Sequence, residues 1–117
     1  MSPEFETAFV ALRDLLLRAA PSMIVARDAV GDLMLQTPDV NPKTGDATFF
    51  AAVAVKKAYV AFHLMPLYYR PEILVDISPQ LNKRRQGKTC FNFKRPDPVL
   101  FAELELLVER ITSAQKS

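Results

Sequence analysis

The stretch TFFAAVAVKKAYVAFHLM, residues 48–65, decides the fold. Two runs rich in Val, Phe and Ala flank Lys56-Lys57. Apolar, β-branched and aromatic runs of this length on either side of a polar break read as an antiparallel hairpin. Lys-Lys is not one of the pairs that favour a mirror-image two-residue turn, so the turn type is not specified. Both runs are apolar on both faces, so each face of this part of the sheet should meet something. Helices are expected on one side, and a pocket or a partner on the other.

Upstream, SMIVAR (22–27) and GDLMLQT (31–37) read as one bent strand or two short ones. PDVNPKTGDA (38–47) is loop by composition. At the N-terminus, Ser2 is placed to cap a helix whose first turn holds Pro3, Glu4 and Glu6. Phe5, Phe9, Leu12, Leu16 and Ala19 form its apolar stripe, and Pro21 stops it. Downstream, Pro66 ends the hairpin, and residues 66–77 read as loop followed by a short helical turn. Ser78-Pro79 caps a short helix, QLNKRR, with Gly87 just past its end. Residues 88–94 read as the last strand. Asp97-Pro98 opens a final helix with Leu100, Phe101, Leu104, Leu107, Val108 and Ile111 on one stripe. The order predicts a single α+β domain: an antiparallel sheet of four to five strands flanked by N- and C-terminal helices.

With 117 residues, half of them apolar, the chain can bury a core without staples. One cysteine excludes an internal disulfide framework. No apolar run is long enough for a membrane span, and MSPEFETAF lacks the pattern of a secretory signal, so the expected location is cytoplasmic. The net charge is +2, but Lys83, Arg84, Arg85, Lys88, Lys94 and Arg95 fall in one segment free of acids, leaving nine cations against thirteen acids elsewhere.

That segment contains QGKTCFNFKRPD, residues 86–97. Gly87-Lys88-Thr89 is not a phosphate loop: position 82 is Asn, and the order is helix then strand rather than strand then helix. Lys83, Arg84 and Arg85 suit the negative end of a helix dipole. With Lys94 and Arg95 they also form a basic patch suited to a phosphate or an acidic partner. Nucleic acid is not expected, because strand alternation puts the cations and Phe91/Phe93 on opposite faces. Cys90 lies on the polar face with Lys88 and Asn92. A thiol nucleophile wants a base, and His63 is the chain's single histidine. A Cys90–His63 dyad requires the two strands to be neighbours in matching register; the alternative is a half-buried cysteine beside a structural histidine. No Cys-x-x-Cys or His-x-x-His spacing marks a metal site. Among the acids of the last helix only Glu105 and Glu109, and not Glu103, stand one turn apart.

Residues 62–94 resemble the YdhG-like family, a bacterial domain of unknown function. The resemblance rests on His63 to Tyr68, Ser78 to Leu81 and Gly87 to Phe93, and extends to the Leu-Phe-x-Glu-Leu helix at the C-terminus. It implies a compact α+β domain, and it points to His63, Tyr68, Lys88 and Cys90 as the place for a site. One branch of the family is described as an iron chaperone of frataxin-like role, which implies weak iron binding through carboxylates. Taken together, the expected function is a small non-catalytic binding module. It has a groove lined by His63, Tyr68, Lys88, Cys90 and Asn92, for a small anionic ligand or a protein partner. No cofactor and no membrane contact are expected, and the chain is a monomer or a homodimer. Iron handling and a Cys90/His63 thiol enzyme are the alternatives.

Overall fold

A computed structural model describes residues 2–40, 45 and 47–115. Helix α1 (Pro3–Ala19) leads into strands β1 (Ile24–Ala29), β2 (Asp32–Val40), β3 (Ala47–Val55) and β4 (Val60–Leu64). Helix α2 (Pro66–Tyr69), a 3-10 segment (Pro71–Asp76) and helix α3 (Pro79–Arg84) follow. The chain closes with β5 (Arg85–Gln86), β6 (Cys90–Phe93) and helix α4 (Pro98–Gln115). The strands form one six-stranded antiparallel sheet in the order β1-β2-β3-β4-β6-β5. The architecture is α+β, with one strand more than the sequence leads one to expect: the two-residue edge strand β5.

The caps are those that the residue types dictate. Ser2 Oγ accepts from Phe5 N at 3.1 Å, Ser78 Oγ from Leu81 N at 3.1 Å, and Asp97 Oδ1 from Leu100 N at 3.2 Å. Each satisfies a first-turn amide that has no partner within the helix. The stripes of α1 and α4 pack against each other and on one face of the sheet. Phe9, Leu12, Leu16 and Ala19 from α1 and all six stripe residues of α4 are buried there, with Val60, Phe62, Leu64, Phe91 and Phe93 from the strands. Phe93 meets Phe101 edge to face at 4.9 Å. Thr112, the one buried polar side chain among the described residues, ties the helices together: its hydroxyl lies 3.0 Å from Glu109 O and 3.2 Å from Ala19 O.

Several local expectations need correcting. Lys56 N donates to Tyr59 O at 2.8 Å, so the central hairpin turns on Lys57-Ala58, not on Lys56-Lys57. Among the described residues no non-glycine residue has positive φ, which rules out a mirror-image turn at Lys57-Ala58. β2 continues through residues 38–40, which composition assigned to a loop, and the rest of that loop falls largely outside the described residues. Pro66 does not merely end a strand; it starts α2, because a proline is welcome in a helix's first turn. Gly87 is not a helix cap. The chain turns extended at Arg85, and Gly87 (φ 71°) makes the turn of the β5–β6 hairpin, where a left-handed residue is required. Lys88 lies in that turn and Lys94 beyond the strand end, so β6 is shorter than 88–94.

Candidate functional site

The helices cover only one face of the sheet, and the other face carries the site. Strand alternation sends Val60, Phe62 and Leu64 to the core, and Ala61 and His63 to the open side. In the same way β6 buries Phe91 and Phe93 and turns Cys90 and Asn92 outward. One row of paired residues crosses all six strands: Arg27, Met34, Ala52, His63, Cys90 and Gln86. Asp32, Ala54, Ala61 and Asn92 form the next row.

Three alanines at the middle of these rows, Ala52, Ala54 and Ala61, leave a depression that larger neighbours enclose. The resulting groove holds 660 Å³. Tyr59 and Lys56 stand at one end of it, and Phe49 at the other. Met34 with Asp32 and Arg27 lines one flank, and Cys90, Asn92 and Gln86 line the opposite flank. Phe49 reaches the groove through a bulge. Leu35 pairs with Ala51 while Gln36 pairs with Phe49, so Phe50 is the extra residue. Without the bulge Phe49 and Ala51 would share a face; with it Ala51 is buried and Phe49 turns to the open side.

His63 is half-buried. Phe49 presents its ring to the imidazole edge to face at 5.0 Å, and Thr89 Oγ1 lies 2.8 Å from His63 Nε2. Burial holds the imidazole pKa below its ordinary value of 6.5, so the ring is neutral at neutral pH. Cys90 sits directly opposite His63 in the β4–β6 ladder. Leu64 N donates to Thr89 O, which makes His63–Cys90 a non-hydrogen-bonded pair, the kind in which facing side chains approach most closely. The strands are thus neighbours in matching register, as a dyad requires. The partner at His63 Nε2, however, is the Thr89 hydroxyl, and that hydroxyl is also 3.9 Å from Cys90 Sγ.

Of the five residues expected to line the site, His63, Cys90 and Asn92 do so, while Tyr68 and Lys88 do not. Lys88 Nζ lies 5.3 Å from the Tyr68 ring centroid, a surface cation–π contact beside the β5–β6 turn. Positive charge reaches the groove from elsewhere. Lys83, Arg84 and Lys94 surround a second concavity of 390 Å³, which shares Tyr59, Gln86 and Asn92 with the first. The two depressions therefore form one surface. The three cations have no ion-pair partner among the described residues. Arg85 is engaged otherwise, donating to Asn82 Oδ1 at 3.1 Å and Gly87 O at 3.3 Å, and Arg95 lines neither depression. At the far flank Arg27 is neutralised by Asp32 at 2.7 Å. The groove is thus polarised: its unbalanced charge lies at the α3/β6 end and on Lys56 beside Tyr59, away from the Arg27–Asp32 flank.

Glu103 fixes that end. Its carboxylate accepts from Ser78 N at 2.7 Å and from Ser78 Oγ at 2.6 Å, docking the start of α3 on α4. Among the carboxylates that an iron reading would use, Glu105 is engaged in a two-pronged pair with Arg18 (2.9 and 3.2 Å), which holds its pKa below the ordinary value. No group of three or more His, Cys, Asp or Glu side chains is placed to hold a metal ion among the described residues. No helix of the described residues is long and apolar enough to cross a membrane.

The groove residues absent from the sequence reading include Phe49, Ala52, Ala54, Tyr59, Ala61 and Met34. A signal existed for the alanines: in AAVAV and VAFHL, small residues alternate with Val53, Val60 and Phe62. That alternation marks one face as low. No such signal existed for Phe49, whose direction depends on the bulge. No family model, no curated protein and no solved structure matches this chain.

Proposed function

We propose that this protein is a small, non-catalytic binding module of YdhG-like kind. Its open sheet face takes a small anionic ligand, or an acidic side chain of a protein partner. The observation that carries this reading is the polarised groove: an apolar alanine floor continuous with three cations that have no ion-pair partner among the described residues. Concave, mostly apolar depressions with a few convergent polar groups are the usual form of a ligand site, and 660 Å³ falls in the customary range. Uncompensated cations grouped on a small domain cost stability through self-repulsion, which an anion at this place would relieve.

The test is an NMR screen of small mono- and dianions against isotope-labelled protein. Perturbed resonances are expected at Ala52, Ala54, Ala61 and the Asn92 side-chain amide, and should vanish in a Lys83→Glu/Arg84→Glu variant. Perturbations confined to other surfaces, or indifferent to that double substitution, would refute the reading. A thiol enzyme is the second reading, favoured by the direct His63–Cys90 pairing. It requires Cys90 to be alkylated by iodoacetamide well below the pH at which an ordinary thiol reacts, and to lose that advantage in His63→Gln. An ordinary pH profile excludes it.

A further inference from the structure

We infer that the ligand of this groove is a planar fused-ring compound carrying a phosphate monoester, as in a purine nucleoside monophosphate; this rests on the binding-module reading and specifies its ligand. The floor sets the shape. Ala52 and Ala54 lie two residues apart on β3, about 7 Å along the strand. Ala61 faces Ala54 from β4 at about 5 Å. Three methyl groups on neighbouring strands make a flat apolar platform with the footprint of a fused bicyclic ring. Phe49 and Tyr59 bound the platform at its two ends, and Met34 and Cys90 stand on its flanks. A branched aliphatic body would leave the corners of such a slot unfilled, whereas a flat ring covers the three methyls together.

Polarity sets the orientation. Two neutral amides, Asn92 and Gln86, occupy the junction between platform and cations, and both line both depressions. Each offers one acceptor and two donors, suited to the hydroxyls or ring edge of an uncharged linker such as a sugar. Beyond them stand Lys83, Arg84 and Lys94. Three cations exceed what one carboxylate balances. A phosphate monoester carries close to two negative charges at neutral pH and three acceptor oxygens, which matches them. At the opposite flank Arg27 is already paired with Asp32, so the cations left to receive the anionic end are Lys83, Arg84 and Lys94, with Lys56 at the Tyr59 end of the groove.

The experiment is calorimetric titration with adenosine 5′-monophosphate, guanosine 5′-monophosphate, ribose 5-phosphate, adenosine and glutarate, backed by NMR mapping of each. At least one of the two nucleotides should bind and perturb Ala52, Ala54 and Ala61. It should bind about tenfold or more tightly than ribose 5-phosphate, which lacks the ring, and than adenosine, which lacks the charge. Lys83→Glu should weaken it about tenfold, and Ala54→Leu, which raises the floor, by about tenfold or more. Both positions are at the surface or half-exposed, and circular dichroism of each variant checks that the fold survives. Ribose 5-phosphate or adenosine binding as tightly as both nucleotides would overturn the inference, as would a nucleotide indifferent to Ala54→Leu. If glutarate perturbs the groove and neither nucleotide does, the ligand class is wrong and the binding-module reading stands. If no probe perturbs it, both fall.

Discussion

Glu103→Ala is expected to destabilise the protein by about 2 kcal/mol and to loosen α3 first. The carboxylate takes two hydrogen bonds from Ser78, from the backbone N–H at 2.7 Å and the hydroxyl at 2.6 Å. Hydrogen bonds to a charged group contribute about 1.5–3 kcal/mol each when desolvated. Here both groups are half-exposed, and water replaces part of what is lost, so the lower end applies to the pair. Ser78→Ala removes one of these bonds and also the cap on Leu81 N, for which about 1 kcal/mol is the usual cost. The hydroxyl–carboxylate bond is common to both single variants, so the double variant loses it once. The two single costs should therefore exceed the double by about 1 kcal/mol. The assay is urea unfolding of the four proteins in a double-mutant cycle, valid if all four share one denaturant dependence. Additivity within about 0.3 kcal/mol would refute the reasoning, because it would mean that the two side chains do not feel each other in solution. Amide exchange adds a second readout. The Asn82 amide, bonded to Ser78 O at 3.0 Å, should exchange faster in Glu103→Ala while β3 and β4 amides keep their protection relative to global stability.

Three further outcomes are expected. His63 is held below its ordinary pKa of 6.5 by burial, so the unfolded chain binds more protons than the folded one. Its contribution is fully present above pH 6.5 and is lost as pH falls from there toward the folded value; His63→Gln should flatten this part of the stability–pH curve, and an unchanged slope would contradict it. Gly87→Ala should cost about 1–2 kcal/mol through its positive φ alone, since a Cβ there meets no atom within 4 Å; an unchanged urea midpoint would show that the β5–β6 turn does not require φ 71°. Phe62→Ala, at a fully buried position on a central strand, should cost about 3–5 kcal/mol, a large part of the stability usual for a domain of this size. A loss under about 1 kcal/mol in urea unfolding would mean that β4 is not central to the core.

The sequence by itself determined the elements and most of the core. Periodicity marked α1 and α4 because a helix stripe repeats over four turns, and each residue along it repeats the same message. Caps at Ser2, Ser78 and Asp97 were legible because capping is local chemistry between residues three positions apart. Alternation in β4 and β6 put Phe62, Phe91 and Phe93 inside and His63, Cys90 and Asn92 on the other face, and that much of the site was readable. Only the tertiary structure decided the rest. Whether His63 faces Cys90 depends on the pairing of two strands far apart in the chain, which no local pattern encodes. Gly87 suits a helix end and a hairpin turn equally, because both ask for the same left-handed backbone; the pairing of Arg85 and Gln86 with β6 chose between them. Phe49 joined the groove through one extra residue in β3, and a single-residue shift reverses every side chain beyond it. Lys83 and Arg84 reached the cationic end of the groove on α3, which is anchored through Ser78 to a carboxylate on α4, a contact that only the folded chain can make.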